Sequence, residues 1–586
     1  MDKHLFDVSM GKTPADLVIN NGQIVNVFTG EIYDGGVAVA GDRIAAVGDV
    51  DYAIGEETKV VDAEGNFIVP GFIDGHIHTE SSTLSPARFA EVALAHGTTS
   101  IFTDFHEIGV VGGMPAMEAV MEEAKTTPLK FHWVMPSHVP FSPGLETSGG
   151  SIDPDIIREA LKRDDIVGLS EIVSAYIAIE HPELLQSIED ARASGKVLSG
   201  HGPEVEGPLA NAFAALGVLN DHEALSLDDV LIRARRGIYV HLRDNLIVPT
   251  MPELIKALTE NKIDSRLLCL ATDDTSVVAL VNEGHMDRLI RTVLGLGVDF
   301  VTAIQMATIN NACSFQKELE IGSLAPGRYA DINIVTGAED FKVLKTIANG
   351  ELVAENLQMI KPLDIPEHDP VLLNTFNLKG QVKAEDLVIP AEAGSTWAKM
   401  HIMRTLPWVP ITEGGEAELP VKNGYINSDV SQDLLHIAVV ERHHATGNVG
   451  KAFIGGFGLS SGALGSSIGH DHHNIVVIGA DPEEMAVACN RVAEIGGGVV
   501  LVKDGQVEME IPLPIAGLLT DTDAWTLAEK RQALLDEAAE LGCKVADVFM
   551  FLSFVTLAAI PAFAITDKGY VDVMKQELMD PVLGWR

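Results

Sequence analysis

The sequence predicts an α/β chain built on a closed (β/α)8 barrel of the TIM type. Segments on either side of the barrel form a composite β-sandwich, and an α+β domain follows. Three observations predict this. From about residue 70 to 320, eight short apolar runs alternate with helix-like stretches, the pattern of a parallel sheet. Residue types that bind metals stand at the ends of those runs, where a barrel places its reactive groups. Short β-branched runs punctuated by Gly, Asn and Asp flank the region on both sides, with related textures in LVINNGQIV and TIANGELV.

Taken in order, residues 1–69 supply the first part of the sandwich through DLVINNGQIVNV, GGVAVAGDRIAAVG and TKVVDAEGNFIVPG. Residues 70–320 are the barrel. Its strands are read as FIDGHIH, TSIFTDF, KFHWVMPS, IVGLSEIV, VLSGH, LNDHE, IYVHLRD and LLCLATDD, with helices such as ARFAEVALAHG and DIIREALKRDD between them. Residues 321–360 return to β texture in GSLAPGRYADINIV and give the second part of the sandwich. Three prolines among polar residues mark a linker before 377–586, the C-terminal α+β domain, with a helix at about 525–542.

The strand ends carry the chemistry. His76 and His78 close the first strand, two residues apart and so expected on one side of it. Glu171 lies near the end of the fourth, His201 ends the fifth, His222 the sixth, and Asp273 with Asp274 the last. Imidazole plus carboxylate suits two divalent transition metals rather than calcium or magnesium. Glu171 stands where it can bridge both ions, and Asp273 can ligate one ion and take a proton from an activated water. Glu107, in TDFHE, and Glu223, after His222, are the candidate proton carriers. On an alternating strand Glu223 would face away from His222. Arg243, in HLRDN, is a candidate substrate contact, with a surface ion pair as the plainer reading.

The totals narrow the classes. Eighty-four acidic against 41 basic residues, a formal net charge of −43, disfavours nucleic acid and anionic lipid as partners. Four dispersed cysteines without a C-x-x-C pair fit a reducing compartment. The N-terminal stretch has no signal-peptide core, and the longest apolar run, about 550–565, contains Pro561 and is too short to span a membrane. GGFGLSSGALG is glycine-rich but lacks the lysine of a phosphate loop. HDHHN (470–474) is read as a solvated or subunit-contact loop, against the alternative of a lid or further ligand set at the barrel mouth.

The strings PGFIDGHIHTESSTLSP, FHEIG, PSHVPFSPGLETSGG, GHGP, NDHE, ATDD, NEGH and TAIQMATINNA resemble the amidohydrolase superfamily. Together with VVERHHATGNVGKAFIGGFGL and HDHHNIVVIGAD, they resemble its bacterial adenine deaminase family over nearly the whole chain. The resemblance implies a cytoplasmic enzyme of purine salvage that hydrolyses adenine to hypoxanthine and ammonia with a metal-activated hydroxide. It implies two divalent ions, manganese or iron ahead of zinc, a small purine base as partner, and a homo-oligomer, dimer or higher. One ion falls to His76 and His78, the other to His201 and His222, with Glu171 bridging and Asp273 completing the set; His106 and Arg243 fall to the substrate. Many relatives bridge with a carboxylated lysine, but here Lys162 and Lys196 lie outside the IVGLSEIVS strand. The chain departs from the family at Phe105, at Ile172–Tyr176 and at Asp244-Asn245-Leu246, positions expected to line the pocket, which keeps another aminopurine, a pterin or a cyclic amide as the alternative substrate.

Overall fold

The computed structural model describes residues 2–244, 249–406, 409–545, 547–559 and 562–586. At its centre are eight parallel strands: β1 (Phe72–Asp74), β2 (Thr98–Thr103), β3 (Lys130–Pro136), β4 (Ile166–Val173), β5 (Val197–His201), β6 (Val218–Asp221), β7 (Tyr239–Arg243) and β8 (Leu268–Ala271). They pair strictly in sequence order from β1 to β8, and helices fill most of the crossovers. Two mixed, mostly antiparallel β-layers flank this barrel. Strand Ile332–Val335 pairs with Phe67–Pro70, so the chain after the barrel joins the sheet begun by residues 17–62. Beyond it, residues 397–585 build a second large sheet covered by the helix Pro482–Glu494.

The strands stop earlier than the sequence pattern predicts. β1 ends at Asp74, β6 at Asp221 and β8 at Ala271, so His76, His78, His222 and Asp273 sit on the turns just past them. The cause recurs. Asp74 accepts a hydrogen bond from the His76 N–H (3.2 Å), Asp104 from that of His106 (3.1 Å), and Asp221 from that of Glu223 (3.1 Å). A short carboxylate that satisfies its own backbone two residues on competes with the ladder and turns the chain out of it. Asp273, past the end of β8, and Glu171, at a bulge within β4 after which pairing with β5 resumes at Ile172, both have left-handed backbone, with φ of 57° and 54°.

β1 and β8 are the two ends of the pairing order, and a few polar groups close the barrel between them. The Asn311 amide donates to the carbonyls of Ile73 (2.7 Å) and Leu270 (2.9 Å). Asp74 accepts from the Thr272 N–H (3.1 Å) and pairs with His285 at 3.0 Å. Residue 75 must be glycine here, because a Cβ would lie 2.4 Å from the Asn311 Oδ1.

One apolar cluster unites barrel and C-terminal residues, with Ile77, Leu84 and Phe89 packed among Ile437, Val439, Ile454 and Phe549. In the apolar run near 550–565, Phe551, Leu552, Val555 and Ile565 are buried, whereas Pro561 lies outside the described residues. No helix among the described residues is long and apolar enough to cross a membrane. Replacing Asn311 with alanine strands two buried carbonyls at the seam. Unfolding in urea should show a loss of about 2–4 kcal/mol, and an unchanged midpoint would show that the seam does not depend on this amide.

Candidate metal centre at the barrel mouth

The ends of five strands, β1, β4, β5, β6 and β8, and the turns past them bring the six predicted ligands to one place. The His76 Nε2 lies 3.6 Å from Glu171 Oε1 and 3.7 Å from Asp273 Oδ1; the His78 Nε2 lies 4.0 and 3.9 Å from the same two oxygens. From the opposite side the His201 Nδ1 reaches Glu171 Oε2 at 2.8 Å, and the His222 Nε2 approaches Glu171 Oε1 at 3.7 Å. Glu171 thus stands between two histidine pairs. The His76 and His222 rings stack face to face at 3.8 Å, while those of His76 and His78 are nearly perpendicular. His76 and His78 are therefore presented by a turn, not by alternation along a strand.

The donor set fits metal ions. His76 Nε2 and Glu171 Oε1 are buried and lack a hydrogen-bond partner. Ligand atoms of His76, His78 and Asp273 lie within 4.8 Å of one another, as do those of His76, Glu171 and His222, and those of His201, His222 and Glu223. Orphaned polar atoms that converge in a buried space are costly unless a cation satisfies them.

Neighbours set the charge of each group. Burial raises Asp273, but Arg243, His76 and His78 together pull it well below the usual carboxylate range, so it stays ionised. Burial pushes His222 well below its ordinary value, helped by His76 and His201, and leaves it a neutral donor. Burial works against the charged form of His201 too, yet Glu171 and Glu223 outweigh it and raise that imidazole to about 9. Asp104 lies 3.3 Å from the His78 Nδ1, a charge contact the sequence reading did not assign.

Glu223 faces inward, 3.5 Å from the His222 Nε2 and 3.7 Å from the His201 Nδ1. Since β6 ends at Asp221, the alternation that would turn Glu223 away does not apply. Arg243 is no surface ion pair. Largely buried, it bridges Glu223 (2.9 Å) and Asp273. Glu107 begins the helix His106–Ala124 and turns toward His470 and His473. The HDHHN loop is accordingly buried against the barrel mouth, which corrects the reading of it as a solvated or subunit-contact loop.

The departures divide. Phe105 packs on Trp133, centroids 5.0 Å apart, with its side chain in the core rather than a pocket. Ile172 is likewise core, and Tyr176 donates its hydroxyl to the Phe141 carbonyl (2.9 Å). Asn245 and Leu246 lie outside the described residues. Phe141, from a string quoted only for resemblance, stacks on His138 (5.2 Å) and lies near His106 (5.8 Å) and His201 (6.3 Å), forming an aromatic wall beside the centre. Arg233, which no pattern singled out, is fully buried, bonds Asp221 at 2.5 Å and donates to the Gly202 carbonyl, tying together the turns that carry His201 and His222.

Comparison with known proteins places this geometry. Residues 67–353 match the amidohydrolase family, and residues 410–577 match the adenine deaminase C-terminal domain. The chain is 38% identical over 592 residues to an adenine deaminase of Clostridium botulinum, covering 99% of this chain and 97% of that one. It is 39% identical over 587 residues to one of Mesorhizobium japonicum, again covering 99% and 97%. It is 38% identical over 585 residues to one of Ruegeria pomeroyi, covering 98% and 96%.

Two outcomes follow. A protonated imidazole cannot ligate, so protons compete for His201 at every pH below about 9. In chelator-competition titrations apparent metal affinity should climb by roughly tenfold per pH unit for that proton, then level off above it. A flat profile from pH 6.5 to 9.5 contradicts the assignment. Arg233→Ala leaves Asp221 charged and buried, and should cost about 3–5 kcal/mol in denaturant unfolding; a cost under about 1 kcal/mol would mean the pair does not hold the two turns.

Proposed function

From the premise that this chain belongs to the adenine deaminase family of the amidohydrolases, we propose a role for each group at the barrel mouth. The chain hydrolyses adenine to hypoxanthine and ammonia. The observation that carries the reading is the convergence of four imidazoles with Glu171 and Asp273 in a chain of this family. His76, His78 and Asp273 would hold one divalent ion and His201 with His222 a second, with Glu171 standing between the two pairs. A donor set of imidazole and carboxylate suits manganese, iron, cobalt or zinc over calcium or magnesium, and the family resemblance puts manganese or iron ahead of zinc. When bound, the pair lowers the pKa of a shared water and fixes its position.

The residues then divide the proton work. Asp273, kept ionised by Arg243 and the imidazoles, accepts a proton from the water that attacks C6. Glu223 carries a proton to the ring nitrogen beside C6, because it stands among the same imidazoles whereas Glu107 is engaged elsewhere. Protonation there makes C6 electrophilic. The resulting tetrahedral carbon expels the exocyclic amine, which takes the proton held by Asp273 and leaves as ammonia, while the C6 hydroxyl returns its proton to Glu223 to give the carbonyl. Arg243 keeps Asp273 and Glu223 a fixed distance apart. Phe141 offers a face for the purine, and His106, whose Nε2 is buried without a partner, offers a polar contact for its edge.

Cytoplasmic residence is part of the proposal, supported by four cysteines that remain unpaired. So is a homo-oligomer, supported by exposed Phe28, Ile32 and Tyr33 close together on one hairpin. Assay of ammonia release from adenine tests the whole. Glu223→Gln should keep its bound metal and lose about 10²- to 10⁴-fold in kcat. An unchanged kcat removes Glu223 from the reaction, and no ammonia from adenine at any metal loading rejects the substrate.

A further inference from the structure

A second cluster at the barrel mouth takes no part in this chemistry. Glu107 comes from the barrel. His470, Asp471 and His473 come from the C-terminal loop between the strands Ala463–Ser466 and Ile475–Gly479. All four are more than nine-tenths buried. The His470 Nδ1 lies 2.9 Å from Glu107 Oε1 and 2.7 Å from Asp471 Oδ1, and the other Glu107 oxygen meets the His473 Nε2.

One ring nitrogen binds at most one proton, yet two carboxylate oxygens converge on this one. A single hydrogen cannot serve both well, whereas a cation at their common point serves all three atoms, which lie within 4.8 Å of one another. The charge balance points the same way. Among the described residues no lysine or arginine pairs with Glu107 or Asp471. Glu80, also buried, adds a further acid on this side of the mouth.

We propose that Glu107, His470 and Asp471, with His473 beside them, bind a third divalent transition-metal ion, separate from the catalytic pair, which fastens the C-terminal domain to the barrel. Two carboxylates and one or two imidazoles select manganese, iron, cobalt or zinc over magnesium or calcium. Glu107 is then a ligand of this ion.

Elemental analysis of the full-length holoprotein, expressed with excess manganese and freed of loose metal by gel filtration, tests the proposal. Unaltered protein should carry three equivalents per chain. Asp471→Ala and His470→Ala should each carry two, with the far-ultraviolet circular dichroism of the parent. Two equivalents in the unaltered protein, or three retained by a folded Asp471→Ala, overturns it. If either variant fails to fold, anomalous diffraction from manganese-loaded crystals of the unaltered protein decides. A peak between Glu107 and His470 supports the site, and peaks at the Glu171 centre alone refute it.

Discussion

The metal centre depends on parallel strands that stop being strands at a common level. A ladder left to itself continues wherever backbone partners remain. Here Asp74, Asp104 and Asp221 end it by capturing the N–H two residues downstream. A bulge at Glu171 within β4 and the turn at Asp273 past β8 set these two ligands in left-handed backbone that costs non-glycine residues of order 1–3 kcal/mol. That cost falls on the two carboxylates the chemistry uses, and the surrounding packing holds them there. The same Asp74 also reaches Thr272 and His285 across the seam, so closing the barrel and orienting its first ligand are one event.

Burial then makes the centre electrostatically self-consistent. Carboxylates and imidazoles removed from water would each lose charge if isolated. Together they hold Asp273 ionised and His222 neutral, the forms ligation needs, whereas His201, drawn up by Glu171 and Glu223, gives up a proton before it ligates. Arg243 joins this network from inside, since its guanidinium spans Asp273, beside His76 and His78, and Glu223, beside His201 and His222. The negative surface outside is a separate matter, and none of the site's polarity depends on it.

Much of this was legible in the sequence, for a specific reason. The barrel strands are short apolar runs, and polar residues of metal-binding type interrupt them at the exit; both features are local. That made His76, His78, Glu171, His201, His222 and Asp273 visible as a set. Glu223 was ambiguous because strand alternation was extended two residues past Asp221, where the ladder has already ended. Arg233 and Asn311 could not be found, because their value lies in partners distant in the chain and no periodicity marks a side chain that bonds two remote carbonyls. HDHHN was misjudged because a polar, histidine-rich loop looks solvated until the domain that buries it is placed. Phe105 was misjudged in reverse, since a pocket was assumed where the side chain turns into the core.

The seating of the HDHHN loop on Glu107 bears on how the protein is made. A ribosome delivers the barrel first, and more than 360 residues separate Glu107 from the histidine that meets it. During that interval the mouth stands without its neighbour, and its buried acids face water. A half-translated chain therefore carries the ligand residues of an enzyme whose working enclosure has yet to emerge, so competence arrives only near the end of synthesis.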